Sequence, residues 1–96
     1  MAIIIDEKVS EVMDILQEEC SEVIQAVSKI RRFGLDNSHP TSSQTNIQHL
    51  EEELGDVLAM VDLLQSLNMV TKYGLDNAKT AKIDKLKMWS KIFDNN

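Results

Sequence analysis

Two acid pairs set inside long helical patterns constrain this chain more than any other feature: Glu19 with Glu22, and Glu53 with Asp56. Residues i and i+3 share one helix face, about 5–6 Å apart. The row Ile15, Glu19, Glu22, Ala26, Lys29, Phe33 advances by alternating fours and threes, and so does His49, Glu53, Asp56, Met60, Leu63, Leu67. Both acid pairs therefore stand in stripes that are otherwise largely apolar. Two carboxylates about 5 Å apart repel by ~3 kcal/mol at an effective dielectric near 20. A domain of this size is stable by only about 5–14 kcal/mol in total. A single such pair reads as the solvated edge of an amphipathic helix. Two pairs in matched rows read instead as a ligand set for a hard divalent cation, because oxygen-only donors suit Mg²⁺, Mn²⁺ or Ca²⁺ rather than zinc.

With 96 residues the chain is expected to form one small domain. A domain of that length buries roughly 60–65% of the surface its unfolded form exposes, so self-association would enlarge its core. The net charge of −6 speaks against a general nucleic-acid binder, which needs a basic face, but leaves room for an acidic protein that handles phosphates through a metal. Cys20 is the single cysteine; no intramolecular disulfide can form, and a reducing compartment fits. Met1-Ala2-Ile3-Ile4-Ile5 is too short for a signal segment and runs straight into Asp6. No apolar run reaches membrane-spanning length. A soluble protein of the cytoplasm is expected, with no membrane partner.

Along the chain, Asp6 can cap a helix over about 7–33 whose core positions read Val9, Val12, Met13, Leu16, Cys20, Val23, Ile24, Val27 and Ile30. Arg31-Arg32 suits a helix C-terminus, and Gly34 follows as the stop. Residues 34–44 read as loop. Thr45 with Gln48 forms a capping box, opening a second helix over about 46–67 with Ile47, Leu50, Leu54, Val57, Val61 and Leu64 on one face. Phe33-Gly34-Leu35-Asp36-Asn37 recurs as Tyr73-Gly74-Leu75-Asp76-Asn77, which reads as a second helix stop. A third helix is expected over about 77–93, with Ala78, Ala81, Leu86, Trp89, Ile92 and Phe93 on its apolar side. Lys82 and Lys85 fall on that side too. They either snorkel, laying apolar stems over the surface, or meet an anion bridged by the metal. The fold class is all-α: a bundle of three main helices completed by oligomerisation.

Glu19, Glu22, Glu53 and Asp56 are thus expected to hold one or two Mg²⁺ ions, with Mn²⁺ as the alternative, a phosphate chain completing the coordination. Such ions polarise a phosphoryl oxygen and acidify a bound water, while lysines neutralise charge on the leaving phosphates. Glu18, beside the ligand set, is placed to orient or deprotonate that water, or simply faces solvent. A Gly-rich phosphate loop, a Ser-His-Asp set and Cys/His metal spacing are all missing from the sequence. His39 and His49 read as ordinary polar residues, although His49, one turn before Glu53, leaves a supporting role behind that acid open.

Glu18-Glu19-x-x-Glu22 followed by Glu53-x-x-Asp56, with Ser28-Lys29, Arg32-Phe33-Gly34, Thr45-Asn46 and Gly55-Asp56-Val57, resembles the EExxE…ExxD signature of the MazG-like all-α nucleoside triphosphate pyrophosphohydrolases. The likeness is greatest to the short, single-domain members of phages and bacteria, and covers roughly residues 10–66 well. It implies cleavage of a (deoxy)nucleoside triphosphate between its α- and β-phosphates, in housekeeping or adjustment of the nucleotide pool. It also implies Mg²⁺ on Glu19, Glu22, Glu53 and Asp56 with Glu18 assisting, substrate contacts at Lys29, Arg32 and Asn46, and a homodimer or homotetramer with shared sites. A ferritin-like di-iron bundle is the nearest rival enzyme, but those sites need Glu-x-x-His pairs, and neither Glu19 nor Glu53 has a His three residues later. A non-catalytic helical adaptor is the rival of another class, and predicts indifference to Mg²⁺.

Overall fold

The computed structural model describes residues 6–38 and 41–94. The Met1–Ile5 lead and His39, both read from the sequence above, lie outside them. Three α-helices make up the fold: α1 (Glu7–Phe33), α2 (Asn46–Ser66) and α3 (Lys72–Trp89). The protein is all-α as expected, and no strand occurs among the described residues. No helix among them is long and apolar enough to cross a membrane. The chain divides into two compact units, one running to Leu64 and the other from Gln65 onward.

In the first unit, local chemistry sets each helix end. Asp6 accepts a hydrogen bond from the Val9 N–H at 2.8 Å and opens α1. Gly34 closes it at φ 93° and ψ 166°, donating its N–H to the Ile30 carbonyl; that backbone region is essentially closed to residues with a Cβ. The Thr45/Gln48 box is complete: the Gln48 side chain accepts from the Thr45 N–H at 2.9 Å, and Thr45 Oγ1 accepts from the Gln48 N–H at 3.2 Å. Between the two helices, the Ile47 N–H donates to the Leu35 carbonyl, the Asn46 N–H to Asn37, and the Asn46 side-chain amide to Gly34 at 3.0 Å. These bonds hold the start of α2 against the end of α1. With Glu19 far up α1 meeting Glu53 and Asp56 on α2, the helices must run antiparallel.

Burial on α1 follows a stripe between the acid-bearing row and the apolar row, drawing on both. Ala26, from the same stripe as Glu19 and Glu22, is 0% exposed; Val9 and Val12 are buried, and Leu16, Val23 and Ile30 half-buried. Met13, Cys20, Ile24 and Val27, counted from the sequence among the core positions of α1, are exposed instead, Ile24 by 70%. On α2, Leu64 is buried while Ile47 and Leu54 are exposed. The reason is geometric. Within the first unit α2 covers one side of α1, and the apolar stripe of α1 is wider than that side.

The second unit corrects the expected third helix. It starts at Lys72 rather than near 77, because Thr71 caps it by accepting the Gly74 N–H at 2.9 Å. Tyr73-Gly74 is therefore the first turn of a helix and not the end of one. Gly74 gives room to that cap, since a Cβ there would stand 3.0 Å from Thr71 Oγ1. Asp76 pairs with Lys72 at 2.6 Å in the same turns, and this hydrogen bond holds the Asp76 carboxyl below its usual range. The preceding turn belongs to Asn68, which takes φ 60° after α2 stops at Ser66. At the other end Ser90 Oγ accepts the Ile92 N–H, diverting the backbone from the helical ladder. Ile92 and Phe93 thus lie beyond α3, not within it. None of the residues of α3 is buried.

The glycines of the first unit yield a contrast in stability. Gly34→Ala should destabilise by about 1–3 kcal/mol, because its backbone region excludes a Cβ. Gly55→Ala, in a helix interior with nothing within 4 Å of the new methyl group, should stabilise by about 0.5–1 kcal/mol. Urea midpoints of the two variants check this, and equal midpoints would refute it.

Candidate metal and nucleotide site

The hairpin of α1 and α2 brings three of the four expected ligands together. Glu19, Glu53 and Asp56 each offer a carboxylate oxygen, all within 4.8 Å of one another. Glu19 comes from α1; Glu53 and Asp56 stand one turn apart on α2. Glu53 is buried, Glu19 half-buried and Asp56 exposed. Glu22 is half-buried one turn further along α1 and is not among the three converging groups. Glu18 is exposed, with its carbonyl accepting from Ser21 Oγ.

Proximity raises the energy of the ionised cluster. Partial burial, then the charges of Asp56, Glu53 and Glu18, and a hydrogen bond with Asp56 push the Glu19 carboxyl above its ordinary value of 4.5. Glu53 has a partner of another kind. His49 Nε2 lies 3.1 Å from its Oε1, one helical turn away. As a donor set, three carboxylates from two helices fit a hard divalent cation: all oxygen, crowded, and in electrostatic need of positive charge.

Beside the cluster lies a cavity of about 360 Å³ lined by Lys29 and Phe33 of α1, Asn37, Ser38, Ser42 and Gln44 of the connecting segment, and Asn46 and His49 of α2. Lys29 and Asn46 were expected near substrate. Arg32 is exposed, its guanidinium 5.0 Å from the centroid of the Phe33 ring. Lys82 and Lys85 are exposed residues of α3, in the second unit. The connecting segment contributes a wall that the sequence did not reveal. An antiparallel bridge between Ser38 and Thr45 and a hydrogen bond from the Gln44 amide to Glu52 at 2.8 Å fold it over the hairpin. No residue-type pattern in 34–44 announces that bridge. His49 is the other residue that spacing left undecided: it lines the cavity and contacts Glu53 of the acid cluster.

A family model for the MazG nucleotide pyrophosphohydrolase domain matches residues 7–90, a span that runs through all three helices. The chain belongs to this family, and its class of activity is nucleotide pyrophosphohydrolysis. No curated protein and no solved structure matches the chain.

The raised pKa of Glu19 has a definite sign. The folded state binds a proton at Glu19 more readily than the unfolded state does, so ionised Glu19 penalises folding above its raised pKa. That penalty fades as the pH falls through the raised value toward 4.5. In EDTA at neutral pH, Glu19→Gln should therefore melt at a higher temperature than the parent chain. It should also lose part of the parent's gain on mild acidification. A lower melting temperature for the variant at neutral pH would refute this assignment.

Proposed function

We propose that the protein hydrolyses a (deoxy)nucleoside triphosphate to the monophosphate and pyrophosphate with Mg²⁺ as its cofactor, in housekeeping or adjustment of the nucleotide pool. One observation carries the proposal: three carboxylates converge from two helices beside a cavity of about 360 Å³, and one side chain of the cavity wall, His49, contacts one of them, Glu53. That volume lies in the range of small-molecule sites. Glu19, Glu53 and Asp56 hold the cation, with Glu22 completing the set from the next turn of α1. The bound ion supplies charge neutralisation at the phosphate oxygens and acidifies water.

The remaining work falls to the chain itself. Lys29 and Asn46 in the cavity wall fix the nucleotide, the first by charge and the second by its amide. Arg32, stacked near Phe33, adds a planar cation that can pair with a phosphate in bidentate fashion. Glu18, exposed next to Glu19, accepts the proton given up by the attacking water as the α–β anhydride breaks. Lys82 and Lys85, exposed on α3, are the lysines proposed to meet the substrate's negative charge. A homodimer or homotetramer in the cytoplasm is the proposed working form, in which a second copy covers the apolar stripe of Met13, Cys20, Ile24 and Val27.

Release of pyrophosphate, followed across canonical and modified nucleotides, tests the activity. Glu22→Gln and Asp56→Asn should each lower turnover by about 100-fold or more, the scale of losing one preorganised charge contact, with unchanged helical circular dichroism. Parent rates in both variants would overturn the assignment. Lys82→Ala should raise KM more than it lowers kcat. Unchanged values of both would leave that lysine a snorkelling surface residue.

A further inference from the structure

We propose that His49 is a positioning residue for the acid cluster: its imidazole N–H fixes the Glu53 carboxylate from the wall of the cavity, and through Glu53 it sets the affinity of the cluster for a divalent cation. The inference rests on the cation-dependent function proposed above. It starts from burial. Glu53 is the buried charged side chain among the described residues, 9% exposed. A carboxylate withdrawn from water needs a hydrogen-bond donor to offset lost hydration. His49 provides one at 3.1 Å.

The pair is four residues apart on α2, so the helix itself presets the contact. A carboxylate has two oxygens in one plane. Engaging Oε1 stops rotation of the group about its last carbon–carbon bond and so fixes the direction of the second oxygen. Glu19 and Asp56, half-buried and exposed, have each other as hydrogen-bond partner within the cluster, a bond between two acids that an arriving cation would replace. Glu53 is therefore the member oriented by a group outside the three acids, and His49 is that group. Partners behind a ligand typically change metal affinity or activity by about 10–100-fold when removed.

The same imidazole lines the cavity with Lys29, Phe33 and Asn46. A nucleotide there touches the group that holds Glu53, so cavity and cluster are mechanically joined through one side chain. An acid in place of His49 would repel Glu53, and an apolar residue would leave its buried oxygen without that donor. An amide of suitable length preserves the bond.

Titration with Mn²⁺ alone, followed by the electron paramagnetic resonance of the free ion, tests the role without recourse to turnover. His49→Ala should weaken binding by about 10–100-fold. His49→Gln, whose amide N–H can reach the same oxygen, should restore most of the loss. His49→Asn is polar but one carbon shorter and should behave as His49→Ala does; it also carries the test where the alanine variant does not fold. Parent affinity in His49→Ala or His49→Asn overturns the proposal, as does a glutamine variant no better than alanine. Glu53→Gln separates this inference from the one beneath it. Parent Mn²⁺ affinity in Glu53→Gln overturns the cation site itself. Loss of binding there, with none in the His49 variants, overturns only the role of His49.

Discussion

Crowding of like charge is the constraint on which the hairpin depends. Glu19, Glu53 and Asp56 place oxygens within 4.8 Å of each other, and Coulomb repulsion at such separations is a sizeable fraction of the stability available to a small domain. The helices nevertheless hold the acids together, because the connection between them is tied at several points. The Asn46 backbone and side chain reach Asn37 and Gly34, and Ile47 reaches Leu35. Ala26 is completely enclosed in the same stripe. Hydrogen bonds at one end and close packing along the stripe fix a distance that the carboxylates alone would increase. Stability is thus given up locally where positive charge is to be received.

Much of this was legible in the sequence, and for identifiable reasons. The acid rows could be read because a helix fixes the relation of i to i+3 whatever surrounds it. Asp6 and the Thr45/Gln48 box could be read because caps act over three residues. Neighbours decided the rest. Phe33-Gly34-Leu35 and Tyr73-Gly74-Leu75 are almost the same string, yet Gly34 ends a helix at φ 93° and Gly74 lies in the first turn of one. The difference lies upstream. Arg31-Arg32 precede the first string at the end of a long periodic run, whereas Thr71 stands three residues before Gly74 with a hydroxyl ready for its N–H.

The apolar faces show a second limit of periodicity. A helical pattern says which residues share a side but not how many neighbours are present to cover it. In α1 the covered side centres on Ala26, Val12 and Val9, while Ile24 remains 70% exposed; on α2 Leu58 is 62% exposed. In the second unit Trp89, Tyr73 and Met88 are 82%, 79% and 73% exposed. Side chains of this size account for most of what a small fold can gain by burial. Their exposure in a single chain is what the proposed self-association would relieve. It also explains why a reading that assigned every apolar position to one internal core overfilled that core.

The three acids differ in burial, and this difference matters chemically. Three mobile carboxylates would each lose side-chain entropy on binding a cation; three rigid ones would tolerate only one geometry. Here Glu53 is buried and tied to His49, Glu19 is half-buried with a raised pKa, and Asp56 is exposed. The fixed member defines a direction, the half-buried member is the one whose negative charge its neighbours disfavour most clearly, and the exposed member can adjust. For the proposed Mg²⁺, which demands near-ideal octahedral geometry and keeps several waters, one fixed reference with two adaptable donors would suit better than a closed cage. The cavity wall supplies that reference, since the residue that holds Glu53 still is also one that a nucleotide would meet.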